Sequence, residues 1–233
     1  MARKKKVLQE TARKLIAFTT PRSFVAEQFR TLRTNINFSS PDAEVHTLVI
    51  TSAAPSEGKS TTAANLAVVF AQEGKKVLIV DGDMRKPTTH YTFRMGNTIG
   101  LSSVLTRQNT IDEVIRPTAV EHLDLMTCGP IPPNPAELLA SRSMTTLIDQ
   151  LKNRYDLIIF DAPPVLSVTD GQILANKCEG TILVVSSGNT EKDMAVKAKE
   201  AIESSNSRLI GAVLNNFALP KDNYYYQYYG TKE

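Results

Sequence analysis

"TLVITSAAPSEGKSTTAANLAVVF", residues 47–70, changes character in its middle. Residues 47–52 are a short β-branched run, residues 59–70 contain neither glycine nor proline and suit a helix, and the loop between them ends in Gly58-Lys59-Ser60. Strand, glycine-bearing loop and helix in that order make a phosphate-binding loop. Gly58 lets the backbone approach an anion closely, and the amides that open the helix point at it with the helix dipole behind them. Lys59 supplies a mobile positive charge for β- and γ-phosphates, and the Ser60 hydroxyl is an oxygen ligand for Mg²⁺. Ser56, Glu57, Gly58, Lys59, Ser60 and Thr61 are therefore the expected nucleotide contacts. Ala53 stands where the G-x-x-x-x-G-K-[ST] pattern has its first glycine. A helix that merely begins after a glycine is the bland alternative; the preceding strand, the spacing and the Lys-Ser pair argue against it.

Similar runs recur as "KVLIVD" (76–81), "LDLMT" (123–127), "DLIIFD" (156–161), "TILVVS" (181–186) and "LIGAVLN" (209–215), with helix-compatible stretches between them. The expectation is an α/β fold of the P-loop NTPase type, a mostly parallel central sheet with helices on both faces. In "SFVAEQFRTLRTNINF" (23–38), Val25, Phe29, Leu32 and Ile36 recur at helical spacing and predict a surface helix with that stripe turned inward. Two helix starts are legible in the capping positions Thr110 with Glu113, and Asn134, Pro135 and Glu137. With 233 residues, 42% of them hydrophobic, no internal repeat and no interior linker, a single domain is expected over 1–233, with an N-terminal arm over 1–22 and a tail over 217–233.

Two more strands end in carboxylates. "VLIVDGDMR" carries Asp81 and Asp83 just past its strand and "LIIFDAPP" carries Asp161, all on the edge where open α/β sheets bind ligands. One such aspartate is ordinarily a cap or turn residue. Three beside a phosphate loop read as a site for Mg²⁺, which takes hard oxygen ligands and keeps waters.

Composition narrows the field. A formal charge of +3 is too mild for a nucleic-acid partner, and the basic start "MARKKK" is either a solvated arm or a contact for an acidic surface. Cys128 and Cys178 lie far apart, and His46, His90 and His122 are scattered singly, so reduced thiols and no His/Cys metal site are expected. No apolar run approaches the roughly 18–20 residues that span a bilayer, and no signal-peptide pattern follows the basic start. The expected place is the cytoplasm, with a membrane reached only through a partner.

"YYYQYY", residues 224–229, holds Tyr224, Tyr225, Tyr226, Tyr228 and Tyr229, five of the seven tyrosines in the chain. It is either a frayed end or a set of phosphate acceptors. About eight residues separate it from the last strand, an extended reach of roughly 26–29 Å, enough for its own site or a neighbour's. A phenol with a pKa near 10 needs only orientation and a late proton acceptor.

With these motifs assembled, the chain resembles the bacterial tyrosine kinases of capsule and exopolysaccharide export systems, in the separate-chain form found in Gram-positive bacteria. "AAPSEGKST" (53–61) matches that family's Walker A, "VLIVDGDMRKP" (77–87) its second Walker-like motif, A′, and "LIIFDAPP" (157–164) its Walker B. "EQFRTLR" (27–33) matches a Glu-x-x-Arg-x-x-Arg oligomerisation motif, and the tail matches its tyrosine cluster. The resemblance implies ATP and Mg²⁺ as cofactors, Lys59 on phosphate, Ser60, Asp83 and Asp161 on the metal, and Asp81 as the base that orients the phenol. It also implies Glu27, Arg30 and Arg33 as contacts in a homo-oligomeric ring; without it they read as solvated charge. The implied partners are a membrane-anchored activator of the polysaccharide co-polymerase type, which recruits the chain to the inner face of the membrane, protein substrates including itself, and a cognate tyrosine phosphatase.

Two other readings compete. Partition and division ATPases of the same superfamily act as positional switches, but they carry a second lysine where this chain has Ala54. A non-enzymatic scaffold would have no need of the phosphate chemistry. Asn215 and Asn216 are read as adenine contacts or as turn residues.

Overall fold

The computed structural model describes residues 13–39 and 44–218. The strands β1 (Thr47–Ser52), β2 (Val77–Asp81), β3 (Ile115–Pro117), β4 (Leu123–Met126), β5 (Leu157–Asp161), β6 (Gly180–Ser186) and β7 (Leu209–Asn215) form one sheet in the order β3-β4-β2-β5-β1-β6-β7. Every pair is parallel except β3 with β4. The helices are α1 (Ile16–Thr19), α2 (Phe24–Phe38), α3 (Lys59–Ala71), α4 (Thr89–Thr92), α5 (Leu101–Leu105), α6 (Ile111–Val114), α7 (Pro135–Ala140), α8 (Arg142–Lys152), α9 (Asp170–Lys177) and α10 (Lys192–Ser204).

Both faces of the sheet are covered, and the two-residue period of the strands decides which side chain serves which core. Leu48, Ile50, Val77, Ile79, Leu157 and Ile159 pack on the face that carries α1, α2 and α3. Val49, Leu78, Val80, Ile158 and Phe160 pack on the other, against Leu101, Leu147, Leu151 and Leu174. The strands therefore read as continuous apolar runs, as strands buried on both faces must. α3 is buried almost all round, and its alanines, Ala63, Ala64, Ala67 and Ala71, let it lie close over the sheet.

Several expectations change in detail. The arm predicted over 1–22 is interrupted by α1, because Ala17 is fully buried and fastened to α3: its N–H donates to Asn65 Oδ1 at 2.9 Å, while Gln72 Nε2 donates to its carbonyl at 3.1 Å. The inward stripe of α2 is Ala26, Phe29, Leu32 and Ile36, with Val25 exposed; Ala26 rather than Val25 lies three residues before Phe29. β3 was not legible, since three residues containing Pro117 carry no strand period and the strand exists only by pairing with β4. Glu113 takes the Thr110 N–H at 2.7 Å as predicted, but Asn134 donates to the Glu137 carboxylate at 3.1 Å instead of capping the backbone of α7. Cys128 and Cys178 are buried and unpaired with each other, and burial pushes the Cys178 thiol up to about 12, so it supplies no thiolate near neutral pH. "MARKKK" and Tyr224 to Tyr229 lie outside the described residues.

Asn65 also donates to the carbonyls of Lys14 at 3.0 Å and Thr61 at 2.9 Å, so one buried amide ties the N-terminal segment to α3. Asn65→Ala leaves the buried Ala17 N–H without its acceptor and is expected to cost about 2–3 kcal/mol, a fall in melting temperature of roughly 4–12 °C for a chain of this size. Thermal denaturation checks it; a shift under 2 °C would mean the clasp contributes nothing.

Candidate functional site

Three strands that are neighbours in space, β2, β5 and β1, end on the same edge. Asp81 lies opposite Asp161 in the β2–β5 register, and Asp161 opposite Ile50 in β1, just before the phosphate loop. Carboxyl ends of parallel strands at a change of strand order are where such sheets leave a crevice.

The loop itself is shaped by two residues in the left-handed region, Ser56 (φ 67°) and Gly58 (φ 98°). Gly58 has two reasons to be glycine. Its dihedral is disfavoured for any Cβ, and a Cβ there would stand 2.0 Å from Asn215 Nδ2. The loop runs directly into the first turn of α3, which carries Ser60 and Thr61 and whose N–H groups suit an anion. Glu57 does something else with its side chain. It is buried, and its carboxylate accepts the Ala54 N–H at 3.0 Å and the Thr190 hydroxyl at 2.5 Å, so it braces the loop from within and leaves only its backbone for a phosphate.

Lys59 reaches across the crevice. Its Nζ lies 3.1 Å from Asp161 Oδ1, 3.3 Å from Asp83 Oδ2 and 3.3 Å from Ser60 Oγ. Burial works against its charge, but Asp161 and Asp83 outweigh that and hold its proton more firmly than in a free lysine. The ammonium thus touches the same three groups the resemblance assigns to a metal ion. One ammonium serves three carboxylates, and the residual negative charge with hard oxygen donors suits Mg²⁺. Among the described residues no three His, Cys, Asp or Glu side chains form a ready-made cage.

Asp81 is wholly buried. Its Oδ1 accepts the Asp83 N–H at 3.3 Å, and its Oδ2 accepts the Thr88 and Thr89 N–H groups at 3.1 and 2.9 Å. Burial, then the charge of Asp161, pushes it up to about 7 against the stabilising Thr89 N–H. A carboxylate in that range accepts a proton near neutral pH, although the backbone around it must shift before a substrate can touch it.

Thr89 is a residue of the site that carried no signal in the sequence. The Thr89 hydroxyl donates to Asp161 Oδ2 at 3.3 Å. Of the two asparagines read as adenine contacts or turn residues, Asn215 donates from Nδ2 to the Glu57 carbonyl at 3.0 Å and ties the end of β7 to the loop, while Asn216 donates from Nδ2 to Ser186 Oγ at 3.0 Å and ties it to the end of β6. The oligomerisation candidates lie apart on α2. Glu27 and Arg30 pair with each other, and Arg30 also donates to the Pro21 carbonyl at 2.7 Å. Arg33 turns the other way: Nη1 donates to the Val69 carbonyl near the end of α3 at 2.8 Å, and Nε lies 3.6 Å from Glu73.

A family profile described as an AAA domain matches residues 46–189. Over 233 residues the chain is 52% identical to the tyrosine-protein kinase YwqD of Bacillus subtilis (strain 168), covering all of this chain and 98% of that one. Among solved structures, the chimerical protein CapA2B2 superposes with a TM-score of 0.85 at 48% identity, covering 89% of this chain and 93% of that one. The kinase domain of the Escherichia coli tyrosine kinase ETK does so with 0.83 at 30% identity, covering 91% and 85%. With this phosphate loop, these strand-end aspartates and likeness along the whole length, the chain belongs to the bacterial tyrosine-protein kinases.

Proposed function

We propose that the chain transfers the γ-phosphoryl group of ATP to tyrosine hydroxyls, first among them Tyr224, Tyr225, Tyr226, Tyr228 and Tyr229 of its own tail, as part of the control of capsule or exopolysaccharide export. One observation carries this reading: β7, from which the tail departs, ends against the phosphate loop, with Asn215 bonded to Glu57, on the edge that holds Lys59, Asp83 and Asp161. The loop amides and Lys59 hold the phosphates. Ser60, Asp83 and Asp161 would hold Mg²⁺, which when bound would supply positive charge against that of the phosphates. The phenol oxygen forms the new bond to the γ-phosphorus, the bond to the bridging oxygen breaks, and ADP leaves with that electron pair. Asp81 takes the phenol proton late, and its raised proton affinity supports this role.

Among the described residues no helix is long and apolar enough to cross a membrane. By the same reading, recruitment is assigned to a membrane-anchored activator, whose cytoplasmic segment completes the nucleotide site. A switch ATPase remains the competing reading; Ala54 in place of its second lysine weighs against it.

With ATP, Mg²⁺ and the activator's cytoplasmic segment, intact-mass analysis is expected to show up to five added phosphates on tail tyrosines, and none in Lys59→Met. No added mass in the wild type, or phosphate on serine and threonine alone, returns the field to the switch.

Asp81→Asn is expected to lower turnover by about 10² to 10⁴, the range for a positioned acid or base. It also sets an amide NH₂ against a backbone N–H that Asp81 now accepts, so a lower melting temperature accompanies the loss. Calorimetric titration of Mg·ADP separates the roles: a loss of affinity as large as that of Asp83→Asn would make Asp81 a partner of the metal instead of the phenol.

Assembly into a ring follows the same reading, with Glu27 and Arg30 on the outer side of α2. Glu27→Ala/Arg30→Ala is expected to give folded monomers in light scattering, with at most a small loss of melting temperature from the Arg30 bond to the Pro21 carbonyl. Arg33→Ala is expected to lower the melting temperature as well, because Arg33 holds α2 to the end of α3. An unchanged particle mass in the double variant refutes the ring contact.

A further inference from the structure

Asp170, the first residue of α9, is fully buried, and both its oxygens are taken by one side chain: Arg85 Nε donates to Oδ2 at 2.9 Å and Nη2 to Oδ1 at 3.0 Å. Arg85 belongs to the loop that follows β2. Neither residue touches the phosphate loop in the bonds described above, and neither is needed to explain the fold of the sheet. A two-pronged guanidinium on a desolvated carboxylate is among the most directional contacts a side chain makes.

The surroundings show what this contact orients. On one side, the backbone of Arg85 is tied to Asp83: the Arg85 and Lys86 N–H groups donate to Asp83 Oδ1 at 3.3 and 3.0 Å, leaving Oδ2 turned to Lys59. On the other side, the first turn of α9 is seated on the loop after β5. A Cβ at Gly171 would stand 2.6 Å from the Pro163 carbonyl oxygen and 3.2 Å from Val165. Gly82 closes the arrangement, since a Cβ there would stand 2.8 Å from Leu174 and 3.3 Å from the Asp161 carbonyl. The two acid-bearing loops therefore meet on α9. Met84 is buried in the same apolar cluster as Ala162 and Leu174, but an apolar contact resists separation without fixing rotation. The fork of Arg85 on Asp170 fixes it.

We propose that Arg85 and Asp170 form a positioning pair that aims the Asp83 carboxylate into the crevice, with the first turn of α9 as the common seat of the loops bearing Asp83 and Asp161. Arg85 is a positioning residue rather than a catalytic one: its side chain points to Asp170, and it acts through Asp83. The inference rests on the reading of Asp83 as a metal-side carboxylate. Residues that orient a ligand carboxylate without touching the ion typically govern 10- to 100-fold in metal affinity. The Arg85 side chain is 43% exposed while its partner is 0% exposed. Replacing it by lysine keeps the charge that the buried Asp170 requires but loses the planar fork.

Arg85→Lys separates a positioning role from a structural one. Mn²⁺ binding to the ADP-loaded full chain is followed by electron paramagnetic resonance, ADP binding in EDTA by calorimetry, and the fold by thermal denaturation. Arg85→Lys is expected to keep the wild-type melting profile and its ADP affinity in EDTA, while Mn²⁺ binds about 10- to 100-fold more weakly. Asp170→Asn is expected to show the same loss of Mn²⁺ affinity; if it does not fold, Arg85→Lys alone decides. Wild-type Mn²⁺ affinity in Arg85→Lys overturns the proposal, as does an equal loss of ADP affinity in EDTA, which would mean that the whole crevice has moved. Asp83→Asn tells the two levels apart. If it too binds Mn²⁺ like the wild type, the assignment of Asp83 fails and the pair with it; if it loses Mn²⁺ while Arg85→Lys does not, only the pair falls.

Discussion

One ammonium among three carboxylates is the constraint around which the nucleotide edge is built. Asp81, Asp83 and Asp161 converge because β2 and β5 are adjacent and parallel, and parallel neighbours end at the same level. Like charges this close and this buried need a counter-charge, and Lys59 provides it from the first residue of α3. Much of the local structure serves to make that gathering tolerable. Backbone N–H groups of Thr88 and Thr89 stabilise Asp81, the Thr89 hydroxyl serves Asp161, and those of Arg85 and Lys86 serve Asp83. The negative charge left over is what suits the crevice to a further cation.

The rest of the fold holds this edge still. α3 is clamped from one end to the other: Gly58 is pressed against Asn215, Asn65 takes the N-terminal segment, and the Val69 carbonyl takes Arg33. These contacts join the first helices and the last strand to the same phosphate-loop helix. Both ends of the described chain are therefore hydrogen-bonded to the phosphate loop or to the helix that follows it. The end of β7 matters most, since the chain that follows it leads to the tyrosines.

Local sequence made the phosphate loop, the strand-end aspartates and six of the seven strands legible, because each depends on neighbours within a few positions. A β-branched run, a glycine before Lys-Ser and an aspartate closing an apolar strand keep their meaning wherever the fold places them. β3 escaped because its three residues are a strand only by virtue of β4. The helix inside the N-terminal arm escaped because Ala17, small and unremarkable in sequence, is buried by a contact 48 residues away. Val25 was misplaced on the inner stripe of α2 because helical spacing gives the width of an apolar face but not the angle at which it meets its neighbour.

What the sequence determined by itself was the chemistry on offer: an anion hollow, a mobile cation, three acids at strand ends and phenols within reach of the last strand. What only the tertiary structure decided was the use each group is put to. Glu57, expected at the nucleotide, keeps its backbone for that place and braces the loop with its side chain through Thr190, 133 positions away. Arg33, grouped by the resemblance with Glu27 and Arg30 as a ring contact, holds the end of α3. Arg85 and Asp170, silent in the sequence, are joined across 85 positions. The physical reason is the same in each case. A side chain's kind sets which partners it accepts, and the partner it receives is set by strand order and helix packing, which bring together residues that no local pattern connects.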